Sequence, residues 1–448
     1  MNPMTTIAQH AAALHDGRTS STSLTEQALE RIAAPAGEGA RTFTRVYNDA
    51  ARAAALASDQ LRAAGVTRSV IDGLPVSIKD LFDVAGETTM AGSVVREGAP
   101  PAQQDAAVVK RLRRAGAVVI GRTNMTEFAF SGLGINPHYG TPLNPWDRAT
   151  GRIPGGSSSG AAVSVSDAMA VAGIGSDTGG SLRIPAALCG LTGFKPTARR
   201  VSTQGALPLS TSFDSMGAIA PSVACCAQLD ALLSGEDGEL PAPAVLRNLR
   251  LAVPVTLALD GLDDHVAACF QSALTRLSAA GALVQEIEMP AFGRLPGINA
   301  KGGLIAAEAW AWHRSLLESS GERYDPRVGT RILRGKDISA ADYLDVLQAR
   351  AGWIAQVEAV MADFDAMVMP TVPIVAPRLA ELVASDEAYF RANALVLRNP
   401  TLINFLDGCA LSVPCHAHGS APAGLMIAGP AMSDRRILAI GLAAEAAL

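Results

Sequence analysis

Two serines each follow a Gly-Gly pair within one short stretch of the chain, Ser157 in "GGSSSG" and Ser181 in "DTGGS". No histidine occurs between Gly155 and Pro185. A serine hydroxyl is a weak nucleophile at neutral pH, so it needs an adjacent base and a site that stabilises the oxyanion formed on the substrate. If either serine is a nucleophile, its base must therefore come from another part of the chain.

The turn at 178–181, with the sequence Thr-Gly-Gly-Ser, predicts a site for such an oxyanion. Two consecutive glycines permit unusual backbone angles and a close approach, so successive backbone N–H groups can converge on one point. Pro185 and Gly190 bracket a short predicted helix directly after the turn. We expect this helix to hold the turn rigid.

Lysine is rare in this chain, since only five of the 37 basic residues are lysines. A buried lysine can lose its proton, whereas arginine stays charged. Lys79 lies in "PVSIKDLFDV", among apolar strand-forming residues that would lower its pKa. We therefore predict that Lys79 is the base and that Ser157 relays a proton to it. The alternatives are that Lys79 is a surface charge or forms a structural ion pair with Asp80 or Asp83.

Three better-known motifs resemble this region but fail on their context. Residues 156–160 fit the G-x-S-x-G nucleophile elbow, but no buried strand precedes them and no later histidine has a recognisable triad setting. The stretch "VAGIGSDTGG" has Thr178 where a dinucleotide fingerprint needs its third glycine or alanine, and the ribose-binding acid further on is missing. A P-loop is excluded because no Gly-Lys-Ser/Thr occurs.

The segments "GLPVSIKD", "GGSSSG" and "GSDTGGSLRIPAALCGLTGFKPT" together resemble the amidase signature family, which uses a Ser–cis-Ser–Lys triad. The resemblance implies that Ser181 is the nucleophile, Ser157 the cis-serine relay and Lys79 the base. It assigns the oxyanion donors to the backbone N–H groups of Thr178, Gly179, Gly180 and Ser181. The likeness is strong from about 70 to 235 and fades across 236 to 360.

The resemblance carries further expectations. It implies one large α/β domain with a twisted mixed β-sheet covered by helices, and hydrolysis of an amide through an acyl-enzyme on Ser181 with release of ammonia or an amine. No metal or organic cofactor is expected. Ser159 stands where the family often has glycine, and a residue this small should leave the triad intact. Met125 in "GRTNMTEF" is expected to line the substrate site.

Two alternatives to a free-standing amidase remain open from the sequence. One is the A subunit of a tRNA-dependent amidotransferase, which would act as a glutaminase and supply ammonia to a partner. The other is a non-catalytic scaffold on the same fold, which the three filled triad positions argue against. We expect a small amide as the ligand and allow for a homodimer. Nucleic-acid binding is expected only if the protein is an amidotransferase subunit.

The elements that must position these residues alternate between helix and strand, as in an α/β domain. The stretch "SLTEQALERIA" suggests a helix with a capping box from Ser23 to Glu26. The acidic, proline-bearing stretch 234–248 is expected at the surface, and its composition leaves open whether it separates two domains or two halves of one sheet. We predict a single domain over 1–448, with N-terminal helices at 1–65, the signature core at about 70–235, a variable helical region at about 250–360, and C-terminal strands and loops at 361–448.

Composition excludes several classes of protein. The chain has 49% hydrophobic and 18% charged residues and a formal net charge of −5, without a basic stripe that would indicate nucleic-acid binding. No apolar run approaches the roughly 18 residues that a membrane span needs. The N-terminus lacks the features of a secretory signal, so a cytoplasmic location is expected. The six cysteines form neither a disulfide framework nor a zinc pattern and are expected to be reduced.

Overall fold

An eleven-stranded mixed β-sheet runs through the molecule, and helices cover both of its faces. The computed structural model describes residues 4–236 and 239–448. The strands, numbered β1 to β11 in chain order, are Phe43–Val46, Pro75–Lys79, Val118–Thr123, Ala172–Asp177, Thr192–Lys195, Ser215–Ala220, Arg250–Pro254, Leu283–Ile287, Ala366–Pro370, Cys409–Pro414 and Gly424–Gly429. Their order across the sheet is β1-β3-β2-β4-β6-β5-β10-β11-β9-β7-β8. The predicted α/β fold with a helix-covered mixed sheet is confirmed.

Sixteen α-helices, α1 to α16, lie in the described residues. They are Ile7–His15, Ser21–Ala33, Gly39–Thr42, Asn48–Ala63, Ala107–Arg114, Ser159–Ser166, Arg183–Cys189, Val223–Ser234, Asp264–Ala279, Pro290–Ile298, Gly303–Ser320, Pro326–Leu333, Ala340–Met361, Leu379–Ala384, Asp386–Phe405 and Asp434–Ala447. Short 3₁₀ turns lie between some of them, including one at Arg334–Asp337 that directly follows α12. Among the helices of the described residues, none combines the length and apolar character needed to cross a membrane.

Alternate residues of the central strands are buried against opposite helical layers. In β11, Leu425 and Ile427 pack into a core with helices α5, α8 and α16, whereas Met426 and Ala428 pack into a second core with α10, α13 and α15. Successive side chains of a strand point to opposite faces, so a sheet that is covered on both sides needs apolar residues in succession. The continuous apolar composition of β11 meets this requirement.

Parallel pairing at the centre of the sheet fixes where the candidate site can form. Strand β2 pairs in parallel with β3 and β4, and Ile78 of β2 is in register with Ile174 of β4. The carboxyl ends of β2 and β4 therefore meet at the same edge of the sheet. Lys79 and Asp177 are the last residues of these two strands, so the fold brings them to one edge.

Three helix and strand predictions are corrected by the structure. The predicted N-terminal helices at 1–65 include an edge strand, Phe43–Val46, which pairs antiparallel with β3. The predicted helical region at 250–360 contains β8, which adds to β7 at the far edge of the sheet. The predicted C-terminal strands and loops at 361–448 contain two long helices, α15 and α16. Each of these elements is held by packing on the sheet, which local sequence patterns do not report.

Helix α2 begins three residues earlier than its predicted capping box. Ser20 is the N-cap, and its side chain accepts a hydrogen bond from the Ser23 backbone N–H at 3.0 Å. Ser23 itself lies inside the first turn. The prediction of a capping box from Ser23 to Glu26 is therefore wrong, because the serine-rich segment before the helix offers an earlier cap that the sequence does not distinguish from a later one.

The stretch 234–248 connects two halves of one sheet. Helix α8 ends at Ser234, and β7 begins at Arg250 in the same sheet as the preceding strands. The described parts of this stretch, 234–236 and 239–248, are mostly exposed, as predicted for a surface crossing, while positions 237 and 238 lie outside the described residues. All six cysteines are free thiols, which agrees with the expectation of reduced cysteines.

Candidate active site

Lys79 ends the fully buried strand β2 and points to two serine hydroxyls. Its Nζ lies 2.8 Å from Ser157 Oγ and 2.8 Å from Ser176 Oγ. Burial lowers the pKa of Lys79 to about 7, although the negative charges of Asp177 and Asp214 act in the opposite direction. A lysine with this pKa is substantially neutral near pH 7, and its nitrogen can then accept a proton.

The structure rejects the two alternative readings of Lys79. Its side chain is completely buried, so Lys79 is not a surface charge. Asp80 pairs with a different cation, because its Oδ1 accepts a hydrogen bond from Arg122 Nε at 2.7 Å and both side chains are buried. Asp83 Oδ1 accepts a hydrogen bond from Thr89 Oγ1 at 2.6 Å. Neither carboxylate is ion-paired with Lys79.

Ser157 is held in a tightly packed loop just before helix α6. The Gly156–Ser157 peptide bond is cis, and Ser157 O accepts a hydrogen bond from Thr126 N at 3.1 Å. A Cβ atom at Gly156 would come within 2.5 Å of the Gly134 backbone nitrogen, so only glycine fits there. Close packing of these backbones directs the Ser157 hydroxyl towards Lys79.

Ser159 lies apart from the Lys79 contacts. It is the first residue of α6, it is fully buried, and its Oγ lies 3.4 Å from the Asn124 carbonyl oxygen. This position agrees with the expectation that a small residue here leaves the Lys79–Ser157 pair undisturbed.

The carboxylate of Asp177 accepts hydrogen bonds that stabilise the Gly-Gly turn. Its Oδ1 accepts hydrogen bonds from Gly180 N at 2.8 Å and Asn404 Nδ2 at 2.8 Å, and its Oδ2 accepts one from Leu182 N at 3.1 Å. Arg183 completes a buried ion pair, with Nη2 2.9 Å from Oδ1. Burial opposes ionisation, but the Arg183 guanidinium holds the pKa of Asp177 well below its usual range. The turn is therefore built on a permanently charged, fully hydrogen-bonded carboxylate.

This arrangement corrects one of the predicted oxyanion donors. The Gly180 N–H already donates to Asp177, so Gly180 serves the internal structure of the turn and does not face a substrate. Thr178 and Gly179, together with Ser181, line the cavity described below. The sequence could not reveal the difference, because it does not show which side-chain conformation Asp177 adopts.

Asp214 is a second buried carboxylate beside the turn. Its Oδ1 accepts a hydrogen bond from Thr178 Oγ1 at 2.5 Å, and its Oδ2 accepts one from Leu209 N at 3.0 Å. Burial raises the pKa of Asp214 to about 6, although these hydrogen bonds and the charge of Lys79 act to lower it. The hydrogen bonds of Asp214 thus connect the Gly-Gly turn to the 209–214 loop, and its charge interacts with that of Lys79.

Ser181 is brought beside the Ser157 loop by a backbone hydrogen bond, with Ser158 N donating to Ser181 O at 3.3 Å. Helix α7 begins at Arg183 and ends at Cys189, and Gly190 caps it in the left-handed conformation, with φ of 70°. The short helix predicted between Pro185 and Gly190 is therefore present and begins two residues earlier. Ser181 is 4% exposed, and the remaining surface faces a cavity.

The cavity over Ser181 has a volume of about 200 Å³. Its wall combines the Gly-Gly turn with residues from α11, α12 and α15, and two arginines, Arg331 and Arg334, are its only charged members among the described residues. The lining residues are Ala129, Phe130, Ser131, Thr178, Gly179, Ser181, Leu209, Phe213, Asn299, Gly302, Ile305, Ala306, Arg331, Arg334, Leu397, Thr401, Asn404 and Phe405.

The cavity lining differs from the sequence analysis at three residues. Met125 is fully buried and is not among the residues that line this cavity, and its carbonyl oxygen accepts a hydrogen bond from Asn136 Nδ2, so its contact with a substrate stays a prediction. Arg331 and Arg334 went unrecognised, although "RILR" places two arginines three residues apart in a helical sequence, which sets them on one face.

No metal-binding cluster is found within residues 4–236 and 239–448. The histidines considered for a serine triad lie elsewhere: His313 Nδ1 is 2.9 Å from Tyr324 OH, and His265 Nε2 is 2.8 Å from the Ala421 carbonyl oxygen. Burial lowers the pKa of His313 to about 3, so this histidine is neutral. The basic group beside the serines is therefore Lys79.

Comparisons with known proteins agree with this architecture. A family model described as Amidase matches residues 23–438. The chain is 39% identical to a 2-amino-5-chloromuconic acid deaminase from Comamonas testosteroni, over 88% of this chain and 86% of that protein. It is 32% identical to the A subunit of a glutamyl-tRNA(Gln) amidotransferase from Chloroflexus aggregans, over 98% and 95% of the two chains.

A crystal structure of an amidase superposes with a TM-score of 0.88 at 33% identity and covers 99% of this chain and 100% of that one. The predicted hydrolysis of C–N bonds in amides is thereby confirmed, and the scaffold alternative is not supported. On the match over most of its length, this chain belongs to the amidase family.

Proposed function

We propose that the protein hydrolyses a small, acid-bearing amide through an acyl-enzyme on Ser181, with Ser157 as the proton relay and Lys79 as the base. The observation that carries the proposal is the 2.8 Å contact between Lys79 Nζ and Ser157 Oγ beneath a cavity that Ser181 lines. Each of the three residues has the chemistry its role requires.

The first step is proton transfer coupled to attack. With Lys79 neutral, its lone pair takes the proton of Ser157, and Ser157 Oγ takes the proton of Ser181 as the Ser181 Oγ–C bond forms. The carbonyl oxygen of the substrate becomes an oxyanion, and the backbone N–H groups of Thr178, Gly179 and Ser181 are the donors proposed to stabilise it. The positive charge that Lys79 gains is balanced by its neighbours Asp177 and Asp214.

Collapse of the tetrahedral intermediate reverses the proton path. The C–N bond breaks while Ser157 delivers a proton to the leaving nitrogen and recovers one from Lys79, so ammonia or an amine departs and Lys79 is neutral again. A water molecule then attacks the carbonyl carbon of the acyl-enzyme while the same two groups take one of its protons, and this proton returns to Ser181 Oγ as the bond between the acyl carbon and Ser181 Oγ breaks. The products are a carboxylic acid and free Ser181.

The cavity also indicates which amides are favoured. Arg331 lines the cavity, and its guanidinium is fixed by a 2.7 Å hydrogen bond to the Phe130 carbonyl oxygen and by stacking 4.5 Å over the Phe130 ring. A fixed guanidinium is suited to binding a carboxylate through two hydrogen bonds. The deaminase relative is named for a carboxylic acid, which supports an acid-bearing substrate here as well.

A glutaminase component of an amidotransferase is the second candidate, and the 32% identity to such a protein favours it. Glutamine carries an ammonium group besides its carboxylate and amide, and a carboxylate is the usual partner for an ammonium. None of the described residues that line the cavity is acidic. The cavity therefore supports a free-standing amidase for anionic amides better than a glutaminase.

A fluorophosphonate reagent tests the nucleophile. We expect it to label Ser181 and to spare Ser157, Ser158 and Ser159, as mapped by mass spectrometry of the digested protein. Ser181→Ala should abolish the label, and Ser158→Ala is the matched control because Ser158 is a fully buried neighbour in the same loop system. Labelling of Ser158 in place of Ser181 would reject the assignment.

Measuring ammonia release from a small panel of amides tests the proposed substrate class and the amidotransferase alternative together. We expect faster hydrolysis of succinamate, which carries one carboxylate, than of the uncharged butyramide or of glutamine. A preference for glutamine, together with co-purification of a second protein chain, would support the amidotransferase alternative instead.

A further inference from the structure

Arg334 is the second arginine of the cavity, and it differs from Arg331 in how it is held. Arg331 is half-buried and fixed on Phe130, whereas Arg334 is exposed. Among the residues that the structure describes, the guanidinium of Arg334 has one weak hydrogen bond, from Nη2 to the Ala300 carbonyl oxygen at 3.4 Å. Because both line the same cavity, the difference in exposure puts Arg331 inside it and Arg334 at its mouth.

The backbone around Arg334 holds this residue at the mouth of the cavity. It begins the 3₁₀ turn Arg334–Asp337, whose next residue, Gly335, packs so closely on helix α11 that a Cβ there would be 2.0 Å from the Ala306 carbonyl oxygen. Ala306 and Gly302 line the cavity, and a Cβ at Gly302 would lie 3.7 Å from Arg334 Cβ. The stem of Arg334 is therefore set against the cavity wall.

Neither arginine of the cavity has a carboxylate partner among the described residues. Within the part of the chain that the structure describes, neither Arg331 nor Arg334 forms an ion pair, although 23 such pairs exist in the rest of it, including those of the nearby Arg323 and Arg327. The two unpaired guanidinium groups repel each other, and desolvation followed by the charge of Arg334 lowers the pKa of Arg331 to about 10. An anion in the cavity would remove this repulsion.

We propose that Arg334 is a second acid-recognition residue and that the preferred substrate is a small amide carrying two carboxylates, one bound by Arg331 and one by Arg334. This inference rests on the proposed function, since it names the substrate class of the same cavity. A single carboxylate on Arg331 would leave Arg334 unpaired at the mouth. A second carboxylate uses the free donors of Arg334 in a charge-assisted hydrogen bond.

Three amides that differ in charge test the proposal: butyramide with no carboxylate, succinamate with one, and tricarballylic acid monoamide with two. We expect kcat/KM for ammonia release to be highest for the monoamide with two carboxylates. Arg334→Gln should lower the ratio of this kcat/KM value to that for succinamate about five- to tenfold. Arg331→Gln should lower kcat/KM for both acid-bearing amides, because it removes the guanidinium that binds a carboxylate of each.

Lys336→Gln is the matched control. Lys336 is exposed on the same 3₁₀ turn and carries the same charge, but it does not line the cavity. We expect this variant to keep the ratio of the two kcat/KM values. An equal fall in the ratio for Lys336→Gln would mean that general attraction between positive charges and the substrate is responsible, and it would overturn the role of Arg334. An unchanged ratio in Arg334→Gln would overturn it as well.

Binding to Ser181→Ala separates this inference from the proposed function, because it needs no turnover. Calorimetric titration should give tighter binding of tricarballylic acid monoamide than of succinamate, and Arg334→Gln in the Ser181→Ala background should remove the difference. Equal affinity for the two acids would overturn the inference even if Ser181 is the nucleophile. Tighter binding of the monoamide would uphold it even if Ser181 is not.

Discussion

Lys79 Nζ lies 2.8 Å from Ser157 Oγ, and neither side chain reaches solvent. Water is thus excluded from the contact, and the Ser157 hydroxyl is one of two, together with that of Ser176, that lie 2.8 Å from the lysine nitrogen. Burial is also what makes this lysine a base, because it lowers the pKa of Lys79 to about 7.

Lys79→Arg should be about as inactive as Lys79→Ala, although it keeps the positive charge. Arginine cannot release its proton at neutral pH, so it cannot act as a base. We expect kcat/KM for succinamate to fall about 10²- to 10⁴-fold in both variants. Lys110→Ala, which changes a lysine at the surface, should match the wild type. An active Lys79→Arg enzyme, shown to be folded by circular dichroism, would mean that the charge alone matters.

The pH dependence of kcat/KM should show an acid limb near pH 7. Below the pKa of Lys79 the lysine is protonated and cannot accept the proton of Ser157, so activity falls as pH falls. Asp214→Asn removes a negative charge that favours the protonated form, and it should therefore move the limb to lower pH. Asp105→Asn, an equal charge change in a surface pair with Arg113, should not move it. A limb that stays fixed in Asp214→Asn would argue against Lys79 as the titrating group.

Asp177→Asn should destabilise the protein strongly. It leaves the buried Arg183 guanidinium without its countercharge, and such a loss costs about 3–5 kcal/mol in the free energy of unfolding. Urea denaturation would measure the change. Asp16→Asn, which breaks an exposed ion pair with Arg18, should leave stability unchanged. Similar midpoints for the two variants would show that the Asp177–Arg183 pair does not support the turn.

The two glycines of the turn should differ sharply in their tolerance of alanine. Gly180 has φ of 128°, and a Cβ there would lie 2.6 Å from Pro400 Cβ, so Gly180→Ala should lose about 2–4 kcal/mol from strain and overpacking together. At Gly179 the nearest atoms to a Cβ are 3.5 Å away, and Gly179→Ala should keep nearly wild-type stability. Thermal unfolding of both variants checks this, and equal losses would contradict the described turn.

Local sequence was sufficient for the residues that lie within or beside short motifs. Two Gly-Gly-Ser turns and a lysine in an apolar strand singled out Ser157, Ser181 and Lys79, and the resemblance to the amidase signature family supplied their expected roles. The alternation of helix and strand predicted the α/β fold. It did not reveal β1 or β8, because an edge strand depends on the neighbour with which it pairs.

The sequence by itself determined which reactive residue types are present, namely a rare lysine in an apolar strand and serines in glycine-rich turns, whereas their reactivity depends on burial and on adjacent groups. The tertiary structure alone decided which groups surround it. Asp177 engages the Gly180 N–H through a side-chain conformation, and the cavity recruits Arg331 and Arg334 from α12 and the turn after it. The residues that line the cavity come from positions far apart in the chain, and they are brought together by packing across the whole sheet, which no local pattern encodes.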